Sequence, residues 1–290
     1  MTLKETLYER WLDVNIRPPL SEDSRDWDKL LHDHLDSRVS TGIRFLQKEE
    51  GWYPSREDSF CLLPLLLAGD DVIRPAPYYF NRETSTTCAL IQVAQVVATQ
   101  LPHPDTNNYN THTSTPTTPV ELMGVVAVVT FEWGAQVELT LKRLTKHIEG
   151  FRITHLQEKD GVVDGCHVLI TTYSLLQHRV LSTENQRGLN LRSVRVLILD
   201  DFENFLATLS EKNSDPFVRT MRRMQEASVH HVQVAVLAGR IDTIAKTKRF
   251  VSSFLDTWAL MIPRSELTLE VRKFSLSLSL SLSLSLSLSV

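Results

Sequence analysis

The sequence predicts an α/β domain in which a parallel sheet is covered by helices, and three observations predict it. Short runs such as Val125-Val126-Ala127-Val128-Val129 and Val194 to Leu199 are apolar almost throughout rather than alternating, as strands buried on both faces are. Longer segments of helical period separate these runs. The alternation continues from Leu62 over roughly 200 residues, a length one large domain accommodates.

Taken in order, residues 1–40 are polar and charged, with Leu7, Trp11, Trp27, Leu30 and Leu31 at helical spacing, which predicts a short helical extension ahead of the main fold. The main domain is expected over residues 41–262. Its strands are predicted at Asp71 to Ile73, Val125 to Thr130, Phe151 to His155, His167 to Thr171, Val194 to Leu199 and Val232 to Leu237. Helices are predicted between them at Thr84 to Gln100, Trp133 to Gly150, Ser174 to Leu181, Asp215 to Ala227 and Asp242 to Asp256. Leu101 to Pro119, rich in Thr, Asn and Pro, is too poor in apolar groups to join a core and is expected as a flexible surface loop. Residues 263–290 form a low-complexity tail, and from Ser275 it is a strict Ser-Leu repeat. A repeating TC dinucleotide encodes that alternation in any frame. The expectation is therefore a reading frame that has run into a microsatellite and a disordered tail after a single domain.

Composition excludes several classes without naming a function. The chain of 290 residues is 42% hydrophobic and 23% charged, an ordinary globular balance. Its 31 basic and 35 acidic residues leave a net charge of −4, so nucleic-acid binding has to come from a local groove rather than a global basic field. Cys61, Cys88 and Cys166 show no CxxC spacing, which argues against a zinc site or disulfide framework and fits a reduced cytosolic setting. The longest apolar runs, Cys61 to Ala68 and Leu122 to Phe131, are well short of the ~20 residues of a membrane helix. His32 with His34 and His230 with His231 lack the i, i+4 phase of a helical metal pair, and no GxSxG elbow is present.

Six segments carry chemistry, in the order GWYPSREDSFCLLPLLLAGDDVI (Gly51 to Ile73), APYYFNRET (Ala76 to Thr84), VTFEWGAQ (Val129 to Gln136), HVLITTYSLL (His167 to Leu176), VRVLILDDFENFL (Val194 to Leu206) and VAVLAGRID (Val234 to Asp242). Their order and spacing resemble the N-terminal RecA-like domain of DEAD-box RNA helicases, over roughly Leu35 to Ile262. The resemblance implies a P-loop NTPase type of sheet and a site at the strand ends. No motif is intact.

The first segment resembles the adenine-reading Q motif, with Ser59 at the position of its Gln. The second stands where the family has AxTGSGKT. Aligned without gaps from Ala76, Tyr79 and Asn81 replace glycines, Arg82 the Lys and Glu83 the Thr. Such a loop works through glycines that let backbone N–H groups close on phosphate, so the aromatic residues and Glu83 predict weak ATP binding or none. Arg82 and Thr84 serving in a shifted register is the alternative. The third segment resembles PTRELAxQ and keeps Thr130, Glu132 and Gln136; the fourth resembles TPGRL and keeps Thr172, with Leu175 in place of the Arg. These positions imply contact with an RNA backbone, and Thr130 with Glu132 also reads simply as a helix start.

The fifth segment resembles LDEAD. Asp200 falls on the Mg²⁺-holding Asp, Asp201 on the Glu that orients water, and Glu203 on the last Asp. The sixth stands in place of SAT, and Ala238, Gly239 and Arg240 keep no hydroxyl. ATP and Mg²⁺ are implied as cofactors if the site functions, and single-stranded RNA as the partner, with no DNA and no membrane. Among altered relatives the chain looks like the Yb-like Tudor-domain helicases of the piRNA pathway, which implies piRNA-pathway protein partners and a cytoplasmic location in perinuclear germ granules. Three readings stay open: an ATPase-defective interaction module, a fragment of an active helicase whose second domain has no room after Ile262, and a folded remnant without ligand.

Overall fold

Alternation of side chains along each strand decides how this molecule is layered. In the computed structural model, which describes residues 24–54, 58–75, 82–102, 120–159, 161, 163, 165–182, 189–209, 214–238 and 260–261, Val126, Val128, Val168, Ile170, Val196 and Ile198 join one buried cluster. Their neighbours Val125, Ala127, Leu169, Leu197 and Leu199 join a second cluster on the opposite face. Both faces of the central strands are dry, which is why their sequences run apolar without a break.

The elements follow in the order α1 (Ser24–Asp33), α2 (Ser37–Glu50), a π-helical turn (Asp58–Leu62) continuing into α3 (Leu63–Leu67), β1 (Val72–Pro75), α4 (Arg82–Ala98), β2 (Gly124–Val128), α5 (Phe131–Leu144), β3 (Ile153–Leu156), β4 (Val168–Thr172), α6 (Tyr173–Leu181), β5 (Val196–Leu199), α7 (Phe202–Thr208), α8 (Ser214–Ala227), β6 (Gln233–Ala238) and β7 (Leu260–Met261). The strands form one sheet in the order β3-β4-β2-β5-β6-β1-β7. Every pairing is parallel. Residues of α1 to α5 pack with the first cluster and residues of α6 to α8 with the second. The expected parallel sheet between helical layers is what the chain forms.

The six predicted strands each coincide with an observed one to within about two residues at most ends. Helix α7 and the short β7 were not expected. The predicted helix at Asp242 to Asp256, the Leu7 and Trp11 segment, most of the Leu101 to Pro119 loop and the Ser-Leu tail lie outside the described residues. The division expected between residues 40 and 41 falls inside α2, so no break in the chain marks it.

Two local features seat α2 on the domain. Asp36 caps it, accepting from the Arg38 backbone N–H at 2.9 Å and from the buried Arg38 guanidinium at 3.0 and 2.8 Å. The same guanidinium donates to the Ala98 carbonyl at 2.6 Å, at the carboxyl end of α4, where cations are favoured. Gly42 lies where α2 crosses the end of α5, and a Cβ there would overlap the Leu144 carbonyl. Among the described residues no helix is long and apolar enough to cross a membrane.

Candidate functional site at the carboxyl rim of the sheet

Because the strands are parallel, the residues that follow β1, β2, β4 and β5 emerge on one rim, the usual place for ligands in open α/β sheets. Register brings them together: Val128 lies beside Thr172, and Ala127 beside Leu199, so Thr130, Thr172 and Asp200 occupy neighbouring strand ends.

Asp200 is the most constrained of these. Its backbone N–H donates to the Ala127 carbonyl at 2.9 Å, and its carbonyl accepts from the Tyr173 hydroxyl at 2.8 Å. Its side chain is fully buried. The Thr86 hydroxyl donates to Oδ1 at 3.3 Å, and the indole N–H of Trp133 donates to Oδ2. Tyr173 itself stacks on Phe205, ring centroids 4.1 Å apart, within an aromatic group completed by Phe202 and Phe217. This packing holds the start of α7 against the strand end.

Asp201 follows with φ 57° and ψ 39°, the one non-glycine residue with positive φ among the described residues. Asp tolerates this left-handed conformation better than most residues, and here Asn204 Nδ2 donates to both carboxylate oxygens at 2.9 and 3.0 Å. The turn rotates the chain at once from β5 into α7. Glu203 is buried in the first turn of that helix.

A second polar centre lies beside it. Asp58, in the π-helical turn, and Arg74, on β1, form an ion pair of 3.0 Å with both side chains almost wholly buried. The Thr84 and Ser85 hydroxyls donate to the Asp58 oxygens at 3.1 and 2.9 Å. The first turns of α4 thus carry a run of hydroxyls, Thr84-Ser85-Thr86-Thr87, which helical rotation divides: two turn to Asp58, Thr86 turns to Asp200, and Thr87 bonds back to the Glu83 carbonyl at 2.8 Å. Cys88, one turn on from Thr84, is buried in the same region. Burial first, and then the Asp58 charge, push its thiol well above the usual range, and Arg74 opposes them weakly. The thiol stays protonated and inert.

The expected nucleotide-binding residues that the structure describes lie along the π-helical turn and the start of α4. Ser59 is buried next to Asp58 in the turn. Glu83 is exposed, and Thr84 faces Asp58. The hydroxyl that reaches Asp200 belongs to Thr86, three residues beyond Glu83. Arg82 opens α4, while its side chain and the whole of Ala76 lie outside the described residues.

On the other half of the rim, Thr130 caps α5 by accepting from the Trp133 N–H at 3.2 Å, and Glu132 and Gln136 are exposed on its first turns. Thr172 is buried; its hydroxyl accepts from the Leu175 N–H at 3.5 Å at the start of α6 and lies 3.3 Å from that of Ser174. Thr130, Glu132 and Gln136 therefore face solvent together, and Thr172 is turned into its own helix cap.

Sequence reading did not single out Asp58, Arg74, Ser85, Thr86 or Trp133. Two signals were present: a charge inside the otherwise apolar Val72-Ile73-Arg74, which demands a buried partner, and the uninterrupted hydroxyl run at the start of α4.

The arrangement around Asp200 does not fit a magnesium nucleotide. Mg²⁺ takes six oxygens at about 2.0–2.1 Å and needs carboxylate lone pairs, directly or through water. Here an indole N–H and a hydroxyl proton engage both Asp200 oxygens. Among the described residues no group of three or more His, Cys, Asp or Glu side chains could hold a metal ion.

No family model matches the sequence, and no curated protein matches it either. Solved structures do. Dbp5 of S. cerevisiae, as a variant bound to RNA and ADP BeF3, superposes with a TM-score of 0.56 at 12% identity, over 81% of this chain and 51% of that one. A DEAD box protein from the hyperthermophile Methanococcus jannaschii gives 0.54 at 14% identity, over 80% and 55%. The chain spans about half the length of these structures, and the likeness is one of fold: the RecA-like architecture of DEAD-box helicases.

Proposed function

We propose that this chain is a helicase-derived RNA and protein interaction module in which ATP hydrolysis has been lost. The observation that carries the proposal is Asp200: a buried carboxylate whose two oxygens are engaged by Thr86 and Trp133. A cation would have to displace both donors and leave an indole N–H without its acceptor, a loss of roughly 1–3 kcal/mol before any metal is bound. The nucleotide half of the site is thus replaced by internal bonds, while Thr130, Glu132 and Gln136 remain accessible on the other half.

RNA as the ligand is supported by the likeness to a Dbp5 structure that contains RNA, and by an exposed helix start whose N–H groups and polar side chains suit a phosphate backbone. Placement in germline small-RNA silencing, among piRNA-pathway proteins in cytoplasmic perinuclear granules, extends the resemblance to the Yb-like helicases and is part of the same proposal.

Calorimetry with Mg-ATP on the full chain, beside an Asp200→Ala control, tests the first half. We expect no saturable heat. Saturable binding that the control abolishes would sink the proposal and return the chain to the working helicases as a fragment of one. Ultraviolet crosslinking to labelled oligouridylate tests the second half. Crosslinks at or next to α5 are expected, and their absence at low salt would leave a folded remnant without ligand.

A further inference from the structure

At the opposite end of α5 from Asp200 lies a feature the rim chemistry does not use. Over its 14 residues α5 carries the chain about 20 Å back toward the starts of the strands. There Lys142 and Lys146, together with Arg152 just before β3, line a cleft of roughly 540 Å³ whose apolar wall is Ile148, Phe151 and Ile153. Among the described residues no carboxylate lines it.

The three cations differ in their engagements. Lys142 pairs at 2.6 Å with Glu138, one turn back on the same helix face, and Lys146 sits over the Phe45 ring at 4.9 Å. Arg152 has no acidic partner among the described residues, and its charge is felt inward, where burial first and Arg152 second hold the His167 imidazole below its usual range. Alongside runs β3, the last strand of the sheet. It pairs with β4 on one side, and among the described residues no strand covers its other edge.

We propose that this edge and cleft form a docking site for an acidic peptide segment that adds to β3 as an extended strand. Main-chain groups of the outer edge supply the pairing, Lys142, Lys146 and Arg152 attract carboxylates, and the apolar wall receives alternate side chains of the added strand. Positive charge complements an acidic occupant, and an open edge next to it favours a peptide over a nucleic acid, which has no backbone N–H to pair. The inference goes beyond the proposed function and holds whether or not the rim binds RNA, because the two surfaces lie at opposite ends of α5.

The test is fluorescence anisotropy with the full chain and a labelled peptide of alternating Glu and Val. We expect saturable binding that weakens about tenfold when Lys146→Glu and Arg152→Glu are combined. Binding should also be lost when the peptide backbone is N-methylated on alternate residues. Circular dichroism and a thermal melt show that the double variant is folded. Three results would overturn the proposal: no saturation by the peptide, equal binding by the N-methylated peptide, or displacement of the peptide by oligouridylate with RNA crosslinks mapping to Arg152. In the first case the cations only guard the edge against pairing. Failure of RNA to bind at the rim affects none of these readings, so the two proposals fail separately.

Discussion

The two halves of the carboxyl rim are built in opposite ways. Around β1 and the start of α4 four polar side chains are turned inward: Arg74 on Asp58, Thr84 and Ser85 on Asp58, Thr86 on Asp200. Around α5, Thr130, Glu132 and Gln136 face water. A phosphate loop is normally stabilised by its ligand, because convergent N–H groups and cations repel one another until an anion arrives. Here the polar groups at the end of β1 and the start of α4 are satisfied from within, by a buried ion pair ringed by hydroxyls. A surface that contacts a nucleic-acid backbone is solvated when empty and needs no such repair. The difference teaches that buried polar groups must find their partners within the fold, whereas exposed ones are satisfied by water.

The largest effect is expected where the inward half is broken. Arg74→Met removes the guanidinium from the buried Asp58 carboxylate, and removal of one partner of a buried pair costs about 3–5 kcal/mol. Urea unfolding should show an unfolding free energy lowered by that amount, read as a shift of the midpoint at unchanged slope. Adding Asp58→Asn to the same chain should recover more than half of the loss, since the uncompensated charge is gone and the amide oxygen still accepts from Ser85. Cys88 reports on the region independently: its buried, protonated thiol should resist alkylation in the parent and become reactive in Arg74→Met through opening of the region, since loss of the Arg74 charge by itself only pushes the thiol further up. Equal stability of parent and single variant would mean that the pair does not seal this half.

How much of this was legible in the sequence follows from range of interaction. Strand cores are set by local runs of Val, Ile and Leu, and β2, β4 and β5 were readable because each is dry on both faces. Helix α7 was not, because seven residues opening on Phe202-Glu203-Asn204 are too few to show a period, and its position depends on Asp201 adopting a left-handed turn and on Phe205 stacking on Tyr173. The site was legible in outline. Asp200 is readable from an apolar strand that ends in acids, but the partners of Asp200 come from residues 67 and 114 positions away, and no local pattern announces them. The ungapped alignment set Glu83 at the place of the magnesium hydroxyl, and among the described residues Thr86 is a hydroxyl that meets Asp200.

A smaller effect is expected at the join between the two halves. Trp133 lies on α5 yet donates to Asp200 on β5, so it links the sealed half to the open one. Trp133→Phe keeps a ring in place and removes one hydrogen bond to a buried carboxylate, which costs roughly 1.5–3 kcal/mol. The same variant exposes one lone pair of Asp200 to whatever enters. If that bond is what excludes the cation, Trp133→Phe should gain measurable Mg²⁺ binding by calorimetry in spite of its lower stability. A stability loss with no gain of binding would show that the Asp58–Arg74 pair, rather than the indole, keeps the site closed.

The smallest change in stability should come from the open half. Gln136 and Glu132 are exposed on the first turns of α5 and hydrogen-bond no other side chain among the contacts described, so replacing each by Ala should shift unfolding by less than about 0.5 kcal/mol. Their effects on RNA should differ in sign. Gln136→Ala removes a neutral donor and should weaken oligouridylate crosslinking by a few fold. Glu132→Ala removes a negative charge from the helix start, which costs a little dipole stabilisation but lowers repulsion toward phosphate, and should strengthen crosslinking at low salt. Opposite responses from two residues one helical turn apart identify a phosphate path along this surface, because a loss of folding would move both in the same direction.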